Sequence, residues 1–171
     1  IPDTVRSFAS PKSYNSQLGV ALSLLMLSGE EQVAFIEVGI SKRGELERLE
    51  RMIKPDVVVF TSIGDAHSAN FESQRQKIDE KLLLARDAKT IIYSSEYRDL
   101  AQRVRDVYGS RKLVDSSREV VDDMLELNDA LTVDACHVQA LMRELGYGVD
   151  DAVFTAHVEM RLELKEGIDD S

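Results

Sequence analysis

Apolar and polar positions along this chain follow two different periods. Residues 33–38 (VAFIEV) and 57–63 (VVVFTSI) are short runs dominated by β-branched and aromatic side chains. Each is too short for an ordinary helix and suits a strand buried on both faces. Between them, GELERLERMI sets Leu46, Leu49, Met52 and Ile53 on one stripe, with its charges on the opposite, solvated side. Pro55 forces the chain out of that helix and into the second run. Strand, amphipathic helix and strand in this order predict a βαβ unit with parallel strands.

The same alternation continues in both directions. Residues 1–16 read as loop, with Pro2, Pro11 and several Ser and Asn. Asn15 or Ser16 then caps a helix through LGVALSLLML, whose apolar density predicts burial on most of its sides. After a turn near Ser68 to Asn70, FESQRQKIDEKLLLARDA predicts a helix, TIIYS a third strand and EYRDLAQRVRDVY a further helix. VAFIEV, VVVFTSI and TIIYS are expected to lie side by side as buried parallel strands. Residues 109–127 alternate weakly, with LVD and MLEL as candidate edge strands. NDALTVDACHVQALMREL is a strong helical pattern opened by Asn128 or Asp129 and closed by Gly146. Residues 149–157 suggest a short helix and EMRLELKEG a strand. The fold class expected is α/β: a mostly parallel sheet flanked by helices.

Composition narrows the function classes. The 171 residues suffice for one domain with a full core. A net charge of −10 argues against a nucleic-acid surface, which needs a basic patch. It leaves room for a nucleotide site, where backbone amides and a metal hold phosphates locally. One cysteine, Cys136, forbids an internal disulfide, and a reduced, cytoplasmic setting is expected. No run is long and apolar enough to predict a membrane span.

Three polar groups fall where open α/β sheets bind ligands, outside the carboxyl ends of the strands. Glu37 is near the end of the first run, His67 lies just past the second, and Lys81 is on the helix that follows. Glu37 either sits exposed at a strand end against backbone amides or binds a cation. His67, with Asp65 two residues before it, is a loop histidine or a ligand. One Glu and one His are too few for zinc, which takes three or four protein ligands. Magnesium, which keeps waters and takes phosphate oxygens, fits such a pair better. Lys81 is a surface lysine or part of the same site. No GxxxxGK[ST] phosphate loop occurs in these residues. Cys136 and His137 share an amphipathic helix and read as packing residues, and His157 as a helix-end residue.

The order YNSQLGVALSLL, FIEVGISKRGEL, KPDVVVFTSIGDAH, NFES and DEK resembles the central, ATP-binding domain of the Mur ligases. It looks most like the branch that adds D-alanyl-D-alanine to UDP-N-acetylmuramoyl-tripeptide. SPKSYNSQ further resembles the form fused to an alanine racemase. NDALTVDACHVQALMRELGY and MRLELKEG are similar to the closing helix of that domain and the strand that leaves it. The resemblance covers most of the chain, and it rests on five short motifs in order.

By resemblance, Glu37 is a magnesium-binding glutamate, His67 binds a second magnesium, and Lys81 becomes a carbamate that reaches the metal. Asn15, Ser94 and Arg161 are implied at the nucleotide. The implied cofactors are ATP and Mg2+. The implied partners are UDP-N-acetylmuramoyl-tripeptide and D-alanyl-D-alanine, joined through an acyl phosphate in peptidoglycan precursor synthesis. Residues 1–157 are expected to form an N-terminally truncated central domain without its phosphate loop. Residues 158–171 are expected to start the link to a C-terminal domain. Such a fragment is expected to be inactive alone and to bind ATP weakly. Ser16, Ala21, Ser62, Ser94 and Glu96 depart from the residues usual in the family. Those departures keep a second reading open, a non-catalytic α/β binding or scaffold module on the ligase fold. A GxxGK[ST] segment upstream would separate the two.

Overall fold

The computed structural model describes residues 5–62, 70–119 and 129–148. Within them the chain runs β1 (Ser7–Ala9), α1 (Gln17–Leu25), β2 (Val33–Phe35), α2 (Glu45–Ile53), β3 (Val57–Val59) and α3 (Gln74–Leu82). It continues through a 3-10 turn (Leu83–Ala85), β4 (Thr90–Tyr93), α4 (Arg98–Tyr108), β5 (Lys112–Asp115), a second 3-10 turn (Ser116–Arg118) and α5 (Asp129–Glu144). Every strand pairing is parallel, in two sheets of order β1-β2 and β3-β4-β5. The expected α/β class with parallel strands therefore holds.

The strand neighbours differ in part from expectation. TIIYS pairs with VVVFTSI, Val58 opposite Ile91, as the apolar runs predict. VAFIEV pairs with β1 instead, Phe8 opposite Ala34, and no ladder joins β2 to β3 among the described residues. β1 itself lies in the stretch expected to be loop. Three residues flanked by Ser and Pro, half-exposed, carry too little apolar pattern to mark a strand. LVD does form an edge strand, β5, outside β4. MLEL, the 149–157 helix and EMRLELKEG fall outside the described residues.

The larger core lies on the three-stranded sheet. Val58, Ile91 and Tyr93 meet Ile78 and Leu82 of α3 and Leu100, Ala101 and Val104 of α4. Burying side chains of this size stabilises by about 1.5–3 kcal/mol each. Tyr108 is buried with them and donates its hydroxyl to the Leu82 carbonyl at 2.7 Å. The smaller core joins Val20 of α1 to Leu46 and Leu49 of α2, flanked by Ile36, Val38 and Ile53.

Helix ends follow local chemistry. Ser16, rather than Asn15, caps α1: its hydroxyl accepts from the Gly19 amide at 3.2 Å. Gly19 is needed there, because a Cβ would lie 2.6 Å from the Tyr14 Cα. α1 is not buried on most sides as expected. It buries Gly19, Val20 and Ser23, while Leu18, Leu22, Leu25 and Met26 face out. α5 stops at Gly146, φ 79°, with Tyr147 donating to the Met142 carbonyl. The charged side of α2 is not wholly solvated either. Glu50 is 1% exposed and pairs with Arg86 at 2.5 Å.

Candidate functional site

Glu37 follows β2 by two residues and is exposed. It is therefore no buried carboxylate, and it bears no desolvation cost of that kind. Its amide donates to the Ser10 hydroxyl at 3.0 Å, which ties it to the exit of β1. Its Oε1 accepts from Asn15 Nδ2 at 2.9 Å, and the Gly39 amide donates to the Asn15 carbonyl at 2.8 Å. Asn15 thus grips both ends of the Glu37-Val38-Gly39 turn. Oε2 accepts no hydrogen bond among the described residues and is open to a cation.

The turn that follows is held from several directions. Glu45 accepts from the Ser41 amide at 2.8 Å, the Lys42 amide at 3.0 Å, the Ser41 hydroxyl, and Gln17 at 3.2 Å. These bonds overcome its desolvation and hold its carboxyl below the usual range. Asn70 donates to the Ser41 carbonyl at 2.8 Å. Glu80 Oε1 takes the Gly44 amide at 2.6 Å, across from α3 to the start of α2.

Lys81 is half-buried rather than a free surface lysine. Its Nζ donates to the Ser62 carbonyl at 2.6 Å, just past β3. Burial, and next the like charge of Lys77, pull its ammonium below the ordinary lysine range. The Asp79-Glu80-Lys81 triplet splays by about 100° per residue, as a helix demands. Asp79 reaches Arg103 of α4 at 2.6 Å, Glu80 reaches α2, and Lys81 reaches the β3 exit.

Glu37 lies just past β2 and the Lys81 amine reaches the backbone just past β3, and no ion pair or hydrogen bond joins them among the described residues. His67 and Arg161, the other implied ligand and nucleotide residues, fall outside the described residues. Ser94 directly follows β4 but is 1% exposed, and its hydroxyl accepts from the Glu96 amide at 3.2 Å. Among the described residues no three His, Cys, Asp or Glu side chains cluster as a metal site. One carboxylate with an open oxygen suits a hard cation that keeps water and phosphate ligands, and does not suit zinc.

One polar network escaped the sequence reading. His137 of α5 is 2% exposed, with Nδ1 2.9 Å from the Ser116 hydroxyl and Nε2 3.2 Å from the Thr61 carbonyl. Its partners are remote in sequence, so only the burial of a histidine on an apolar helix face hinted at them.

Comparison with known proteins decides the family. Residues 3–119 match the family model described as Mur ligase middle domain. The chain belongs to the Mur ligase middle domain family. It is 39% identical over 67 residues to the UDP-N-acetylmuramoyl-tripeptide–D-alanyl-D-alanine ligase of Borreliella burgdorferi, covering 39% of this chain and 14% of that protein. It is 31% identical over 70 residues to the ligase of the same name from Bacillus subtilis, covering 41% of this chain and 15% of that protein. MurF from Acinetobacter baumannii superposes with a TM-score of 0.76 at 20% identity, over 86% of this chain and 39% of that structure. This last likeness shows a shared fold. The chain thus spans well under half the length of each of these relatives.

Proposed function

We propose that this chain is the central part of an ATP-dependent ligase that adds D-alanyl-D-alanine to UDP-N-acetylmuramoyl-tripeptide in the cytoplasm. The observation that supports it most is the family match together with relatives that all carry that ligase's name. The site geometry agrees with the reading. Glu37, steadied by Asn15, offers one free carboxylate oxygen at a strand end, suited to Mg2+. Magnesium there would offset negative charge on the transferring phosphoryl group. Lys81, with its ammonium pKa lowered, holds a larger share of free amine near neutral pH than an ordinary lysine does. A free amine is the form that adds carbon dioxide to become a carbamate. No helix among the described residues is long and apolar enough to cross a membrane.

The test uses the full-length protein with UDP-N-acetylmuramoyl-tripeptide, D-alanyl-D-alanine and Mg-ATP. The expected result is the pentapeptide product by mass spectrometry, with one ADP and one phosphate released per product. Lys81→Ala should abolish turnover, and acetate should restore part of it by standing in for the missing carboxylate. Lys81→Arg should not be rescued, because the guanidinium keeps its charge and fills the space. No product with any tripeptide variant would leave the scaffold reading in its place.

A further inference from the structure

The backbone leaving β3 is held at two successive carbonyls by side chains of two different helices. Lys81 of α3 donates to Ser62 O at 2.6 Å, and His137 of α5 reaches Thr61 O at 3.2 Å. Phe60, the residue before them, closes the ladder to β4 through its amide on the Ile92 carbonyl at 2.9 Å. We propose that His137 is a positioning residue for the ligase reaction, fixing the β3 exit on which Lys81 is seated.

The hydrogen bonds define what the imidazole does. A carbonyl only accepts, so Nε2 carries the proton and donates to Thr61. Nδ1 then accepts the single hydroxyl proton of Ser116 at 2.9 Å, which leaves none for the Tyr93 carbonyl 3.2 Å away. Ser116 is fully buried and follows β5 directly. One side chain of α5 therefore ties the carboxyl end of β3 to that of β5. Thr61 and Ser62 are themselves exposed, so apolar packing does little to hold them and these two bonds do most of it. With His137 removed, the Thr61 carbonyl loses its anchor, and the seat of Lys81 beside it shifts with the backbone.

The residue acts through Lys81 and touches no reacting atom, so loss should appear in turnover rather than in substrate affinity. A misplacement near 1 Å lowers turnover by up to about a hundredfold. The kinetic arm rests on the ligase reading above and uses the full-length enzyme. His137→Leu keeps the volume and removes both bonds, and His137→Gln restores a donor at the length of Nε2. Expected are a fall in kcat of about tenfold or more for His137→Leu with KM values within about twofold, and recovery of most of that loss in His137→Gln. A second readout needs no catalysis. Hydrogen exchange at the Phe60 amide should quicken about tenfold in His137→Leu while the Ala101 and Val104 amides of α4 keep their rates. Ser116→Ala, which strips only the Nδ1 partner, should shift both readouts in the same direction by less. An unchanged kcat in an active His137→Leu enzyme overturns the proposal, as does an equal loss in the Leu and Gln variants. If the parent enzyme shows no ligation, the ligase reading fails. The exchange arm then decides alone, and an unchanged Phe60 rate overturns the positioning role.

Discussion

The two half-sheets are built to different standards. β4 is buried at all four residues: Ile91 is fully inaccessible in the core with α3 and α4, and Ile92 is fully inaccessible as well. β1 and β2 are three residues each, and none of their residues is fully buried. The helix beside them, α1, turns Leu18 and Leu25 outward at 70% and 82% exposure. The three-stranded half is the more heavily packed of the two. The two-stranded half carries Asn15 and Glu37, and a smaller apolar core of Val20, Leu46 and Leu49 holds it together with polar bonds at the strand ends. Binding groups on thinly packed segments beside a rigid sheet are a common division of labour, because local adjustment is cheapest where few contacts oppose it.

The widest gap between the halves should show in truncations of equal chemistry. Ile91→Ala removes a fully buried side chain in the middle of β4 and should cost about 4 kcal/mol. Phe35→Ala on half-buried β2 should cost about 1–2 kcal/mol, although the side chain is larger. Urea unfolding at neutral pH measures both. Equal losses would mean that the two sheets share one core.

The halves are also joined, by Leu83 packing on the smaller core and by a polar bond beside it. Glu80 of α3 accepts the Gly44 amide at the start of α2. Glu80→Ala leaves that amide without its partner and should cost about 1–2 kcal/mol. The loss should be localised: amide exchange should quicken at Gly44 and the first turn of α2 and stay unchanged in α4. Quickened exchange throughout α4 would show that the halves unfold as one unit.

Much of this was legible in the chain, for reasons that are local. Val57–Val59 and Thr90–Tyr93 announce themselves because a strand buried on both faces must be apolar at every position. The α2 helix is legible because its stripe and its charges obey one period. Burial of α1 was misjudged because composition reports apolar content, not which neighbours are present to cover it. Glu37 and Lys81 stood out by their places near strand ends, and resemblance gave roles to them and to Asn15. The Asn15–Glu37 and Lys81–Ser62 bonds were not, since each spans about twenty residues and depends on how turns close. His137 was hidden most deeply: its Thr61 partner is 76 residues away, and nothing in an amphipathic pattern reports a carbonyl on another element.

The histidine offers a pH probe of the three-stranded half. Burial holds the His137 imidazole below its ordinary value of 6.5, against the Thr61 carbonyl and the charges of Asp134, Glu96 and Asp115, which act upward. Well above pH 6.5 neither folded nor unfolded chain protonates it. Below that, the unfolded chain takes up the proton first, so stability should fall as pH drops from 7 to 5.5. The carboxylates with lowered values, Glu31 at about 2 together with Glu45, Glu47 and Asp115, give up their contribution only at more acid pH, below 4.5. The step between pH 7 and 5.5 should therefore vanish in His137→Gln. A step of the same size in that variant would assign it to another group.

The smallest effect tests the loose half directly. Leu25 ends α1 with 82% of its surface exposed, and Leu18 lies two turns earlier on the same side. Glutamine forms helix nearly as well as leucine, so Leu25→Gln changes surface chemistry without changing backbone preference. On the described packing the side chain makes no buried contact to lose. The change in unfolding free energy should stay within about 0.5 kcal/mol, the range of ordinary surface substitutions. Val20→Ala, one turn away on the inward face, should cost more, about 1–2 kcal/mol, because Val20 is fully buried against Leu46 and Leu49. Unfolding both variants in urea, in this chain and again in the full-length protein, sharpens the contrast. A penalty above about 1.5 kcal/mol for Leu25→Gln in the longer protein only would place that face of α1 in an interdomain contact, since no change in helix propensity reaches that size.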